Sequence, residues 1–214
     1  MRRRASENIT ELDHIPFVHK ALRTTACELI NRAYRLKNGD NLKGVNLAFT
    51  SWIAALVFYL EASEKYLEQH LEQLLYEGNY SGDNPNNNTL LMWFAGLTKF
   101  NRARQLKRID DVFSILHVEI GKTSLVTRTI QHLTLGILRL KIAQEDYLET
   151  QEESLIPLMC KHSTSTQQLH LLKHILIDQE SEDCKWMIKW VIGHLDSPSK
   201  KLISDLEKRL DRVI

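Results

Sequence analysis

An all-α fold, an up-down four-helix bundle with an inserted helical segment and additional C-terminal helices, is what this sequence predicts. Three observations point there. Apolar residues recur at three- and four-residue spacing along almost the whole chain, the period of amphipathic helices. Strand-like alternation is absent. Only eight glycines and four prolines interrupt 214 residues, and several fall in two polar stretches, KNGDNLKG and GNYSGDNPNNNT, that read as turns.

The first helix is expected from about Thr10 to Leu36, with Leu12, Ile15, His19, Leu22, Ala26, Leu29 and Ala33 on one stripe. Pro16 falls in its opening turns, where a missing backbone donor costs least. A second, long helix is expected from Asn46 to Glu77. Its apolar start, NLAFTSWIAALVFYL, is too short to cross a bilayer and runs into a charged stretch, which predicts a core helix. After a solvated loop comes a shorter helical piece, LLMWFAGLTKFNRARQ. Asp110 and Asp111 then suit the start of a third helix running to Gln131, with Val112, Phe113, Leu116, His117 and Ile120 inward. A break near HLTLG leads to a fourth helix ending at His162. The STST stretch caps a fifth that ends near HLDSPS, and Ser197-Pro198 opens a terminal helix. Residues 1–9 read as a flexible basic tail and 10–214 as one domain, with 78–107 an insertion and 164–214 the C-terminal helices.

Bulk composition removes several function classes. The 28 basic and 27 acidic residues leave a net charge of +1, so no global field recruits nucleic acid or anionic lipid. MRRR is followed by no apolar run and does not read as a secretory signal. Cys27, Cys160 and Cys184 are widely spaced and odd in number, which predicts reduced thiols in a cytoplasmic protein. Glycine-rich phosphate loops, GxSxG and HExxH are all missing.

Polar residues with ligand chemistry fall on the inward side of four expected helices. His19 lies on the stripe of the first. In the second, YLEQHLEQLLY carries Tyr66 and His70; in the fourth, YLETQEESLIP carries Tyr147 and Gln151 at the same four-residue spacing. The third supplies His117. Imidazole suits iron or zinc, and phenolate is a hard anionic donor for ferric iron. The same groups could equally satisfy one another as buried hydrogen-bonding residues. His170, His174 and Asp178 share another helix face that reads as solvated, and KFNRARQLKR reads as an exposed basic run.

The segments DHIPFVHKALR, FSILHVEIGK, YLETQEESLIPLM and CKWMIKWVIGHLDSP, in that order, resemble the hemerythrin-like (HHE cation-binding) family. The resemblance implies a bundle around a non-haem di-iron centre, with His19 and His117 matching two of the family's histidines. The chain departs from the pattern where the family has two His-x-x-x-Glu pairs: here stand Tyr66 with His70 and Tyr147 with Gln151. In this register both bridging carboxylates are replaced; a shift of three or four residues in the second helix would instead bring Glu64, Glu68 or Glu72 inward.

Three functions follow as expectations. The first is a metal-binding or sensing protein with iron, as one ion or two, held by His19, Tyr66, His70, His117, Tyr147 and Gln151. The second is a metal-free bundle serving as a protein-interaction or regulatory module. The third is a non-haem iron oxidative enzyme acting on a small molecule.

Overall fold

The computed structural model describes residues 10–77, 85–119 and 126–212; the expected tail at 1–9 and the start of the insertion at 78–84 lie outside them. The described chain is helical, with no strand among those residues. A 3-10 turn at Glu11–His14 leads into α1 (Ile15–Tyr34), with Pro16 in its first turn. The expected stripe is buried: Leu12, Ile15, His19, Leu22, Ala26, Leu29 and Ala33 all lie in the core. Gly39, at φ 92°, turns the chain after α1 in a conformation glycine adopts without strain.

The second long helix is three pieces on one path: α2 (Lys43–Ala62), a π-helical turn at Ser63–Glu68, and α3 (Gln69–Glu77). With the π turn included, Lys43–Gln73 is long and apolar enough to span a membrane, although half of its apolar window is buried inside the protein. A helix packed in the core of a globular protein meets the same description. Phe49, Trp52, Ile53, Leu56, Tyr59 and Leu60 form its buried side.

The shorter piece and the expected third helix as far as Glu119 are one helix, α4 (Pro85–Glu119), so Asp110 and Asp111 start nothing; Ile120 and the rest of 120–125 lie outside the described residues, and the expected end at Gln131 falls inside the next helix. Residues 85–107 of the expected insertion belong to this helix. Next come α5 (Thr127–Thr150), a second π turn at Gln151–Leu155, and α6 (Ile156–His162). The break expected near HLTLG is absent because Gly136 serves packing. A Cβ built there would stand 3.1 Å from a Val112 methyl on α4, so the missing side chain lets the two helices approach. The second π turn has a local cause. Pro157 has no N–H and its ring crowds the carbonyl of Glu153, which disfavours an ordinary α turn just before it.

The expected fifth helix divides into α7 (Ser165–Leu176) and α8 (Trp186–Gly193). Thr164 caps α7, accepting from the Gln167 amide at 3.3 Å. α9 (Ser197–Leu210) opens at Ser197-Pro198, as the sequence predicts, with Pro198 in the first turn and Asp196 as the cap. α5 packs against both α1 and α4, α1 also against α2, and α2 touches α4. α7 lies across the Ser63–Glu68 turn and the Glu11–His14 turn. The core runs through all of these as one apolar cluster.

Candidate functional site

Both π turns open onto the same buried spot. Ser63 and Glu68 come from one, Gln151 and Glu152 from the other, with His19 on α1, Tyr59 on α2 and Tyr147 on α5. Local widening of a helix to i→i+5 bonding is frequent at functional positions. Here it places polar side chains from two helices against each other in the core.

The bonding runs as a chain from the surface inward. Arg23 grips Glu152 with both terminal nitrogens, at 2.7 and 3.2 Å, and reaches Glu145 with Nε at 2.6 Å. Glu152 accepts from His19 Nδ1 at 2.6 Å. His19 Nε2 lies 2.5 Å from the Tyr59 hydroxyl, which also contacts the Gln151 amide oxygen. The Gln151 amide nitrogen donates to Ser63 Oγ at 2.5 Å and to the Tyr147 hydroxyl at 2.8 Å. Tyr147 in turn stands 3.0 Å from Ser63 Oγ and 3.4 Å from Glu68. His19, Tyr59, Tyr147, Gln151 and Ser63 are each fully buried.

Burial and charge set the protonation of this chain. Burial disfavours the imidazolium of His19 and pulls its pKa below the ordinary 6.5, against the raising effect of Glu152. Burial also works against the Glu152 carboxylate, but the bonds from His19 and Arg23 win and hold it at about 2. Both phenols, Tyr59 and Tyr147, are pushed up by burial and stay protonated. Glu68 is raised by burial and by the neighbouring Glu64. A neutral His19 that donates to Glu152 through Nδ1 has an acceptor at Nε2. The single Tyr59 proton then faces two acceptors, Nε2 and the Gln151 oxygen.

Of the six residues singled out in the sequence, His19, Tyr147 and Gln151 meet in this centre. The other three do not. His117 is exposed on α4, because Leu116 and Val112 take the inward positions. Tyr66 faces α7, stacked on the His174 ring at 3.9 Å and 4°. His70 contacts Ser163 Oγ at 3.4 Å. Tyr66 is displaced by the π turn. In an uninterrupted α-helix it would stand seven residues above Tyr59, within about 20° of it; the wider turn rotates it outward. Tyr59 itself lies within an apolar run, and its four-residue spacing to Ser63 was the available signal. Ser63, Glu68, Glu152 and Arg23, four residues after His19, also belong to the centre and are not among the six.

Two cavities flank the Tyr66–His174 stack, of about 440 and 420 Å³, and both are lined by Lys65, Tyr66 and His174. Neither is lined by His19, Tyr59, Tyr147 or Gln151. Volumes in this range accommodate small ligands.

No protein-family model, curated protein or solved structure matches this chain significantly.

Proposed function

We propose that the chain is a non-enzymatic, metal-independent helical binding module: a hemerythrin-like up-down bundle whose centre is closed by its own side chains and whose ligand surface lies beside α7. The observation that carries this reading is the continuous hydrogen-bonded chain from Arg23 to Glu68, in which the groups able to ligate a metal already serve one another. The donor set does not fit a dinuclear iron centre. Two adjacent cations need anionic bridges, yet Gln151 is neutral and both phenols are kept protonated by burial. Glu152 is held by Arg23 and His19. Among the described residues, no group of three or more His, Cys, Asp or Glu is placed to hold a metal ion.

One observation favours a second reading, a single ion. A carboxylate on Nδ1 with Nε2 directed inward is the arrangement that commonly orients metal-bound histidines. Elemental analysis and a visible spectrum of protein grown with added iron separate the two. The binding-module reading predicts a colourless protein with far less than one iron per chain. Stoichiometric iron with a phenolate-to-iron absorption band would replace it with the single-ion reading.

A further inference from the structure

The two cavities beside α7 share Lys65, Tyr66 and His174 but differ in charge. One includes Glu61, Asp178 and Glu180 in its wall. The other is lined by Lys65, by the three imidazoles of His70, His170 and His174, and by glutamine amides, and no described residue in its wall is acidic. His170 and His174 stand four apart on α7, so they present side by side. The stack with Tyr66 fixes the plane of the His174 ring, and the Lys65 ammonium lies 5.1 Å from the Tyr66 ring centre.

These basic groups crowd one another. After burial, the charges of His170, Lys173 and Lys65 are what lower the His174 pKa. Such repulsion is relieved when an anion enters, because the imidazoles can then protonate next to a counter-charge. The amides of Gln69, Gln73 and Gln167 add neutral donors to the same wall.

We propose that this cavity binds a small, multiply charged anion, the phosphate or polycarboxylate group of a metabolite, held by Lys65 and by the imidazoles of His70, His170 and His174. The proposal rests on the reading of the chain as a binding module and names the ligand class. The carboxylates of Glu61, Asp178 and Glu180 in the adjoining cavity repel the anionic group and leave it to the basic one. Because imidazoles are cationic only toward the acid side of neutrality, affinity weakens as pH rises. Lys65 remains as the residual positive charge in the cavity wall.

Titration calorimetry of the full chain with inorganic pyrophosphate and with citrate, at about pH 6 and about pH 8, tests this. Saturable binding to one site, stronger at the lower pH, is expected, and the tighter of the two probes identifies phosphate or carboxylate as the group recognised. Combining Lys65→Gln with His170→Gln removes two charged donors and should weaken binding at least about tenfold. Both residues are exposed, so the variant is expected to fold, and circular dichroism checks that it does. Lys208→Gln on α9, outside the cavity, should leave affinity unchanged. No saturable binding at the lower pH, or equal affinity in the double variant, overturns the proposal. Iron content measured on the same samples tests the binding-module reading separately, since a core loaded with iron would defeat that reading without altering the anion titration.

Discussion

Tyr59 joins the two halves of the buried chain, meeting His19 on one side and Gln151 on the other. Its removal takes away the one proton that these two buried acceptors share. Tyr59→Phe is therefore expected to cost about 1–3 kcal/mol, read as a lowered urea midpoint with an unchanged slope. Gln105 presents the opposite case. It is fully buried on α4, and neither amide atom has a hydrogen-bond partner among the described residues. Gln105→Leu keeps the volume and removes the unpaired groups, so a gain of about 1 kcal/mol is expected. A loss in the same denaturation experiment would mean that Gln105 is bonded in solution. At this scale His19, Tyr147 and Gln151 were legible because each sits on an apolar stripe. Tyr59 was not: an aromatic residue inside an apolar run looks like packing until its hydroxyl partner on another helix is known.

Among the elements, the two π turns decide which side chains reach the centre. Helical periodicity predicted the long helices well, because burial of one face imposes that period. It could not predict a register change, and so Tyr66 and His70 were expected in the core and lie beside α7 instead. Only Pro157 hinted at either turn. Gly136 was read as a break for a related reason, since a sequence does not say whether a glycine bends a helix or admits a neighbour. The contact with Val112 settles it. Gly136→Leu must push α4 and α5 apart and is expected to destabilise by about 1–3 kcal/mol, measurable as a fall in melting temperature. A rise, as helix propensity alone would give, would show that the close approach does not exist.

For the molecule as a whole, the buried chain makes stability depend on pH. The His19 pKa is lower folded than unfolded, so the unfolded chain takes up the proton first and stability falls as pH drops below about 6.5. Glu152, held at about 2 against an ordinary 4.5, adds a second loss as pH falls from 4.5 toward 2. The urea midpoint should therefore decline in both windows, and His19→Gln should flatten the first. The all-α class was legible from periodicity alone, whereas the direction each polar group faces depends on how distant helices meet. The central claim is that this interior is closed by side-chain bonding and needs no metal. Its most direct test is the urea midpoint of the protein in excess chelator compared with the same protein supplied with ferrous or ferric iron. Equal midpoints are predicted. A midpoint that collapses in chelator and recovers with iron would contradict the account and make His19, Tyr59 and Tyr147 metal ligands.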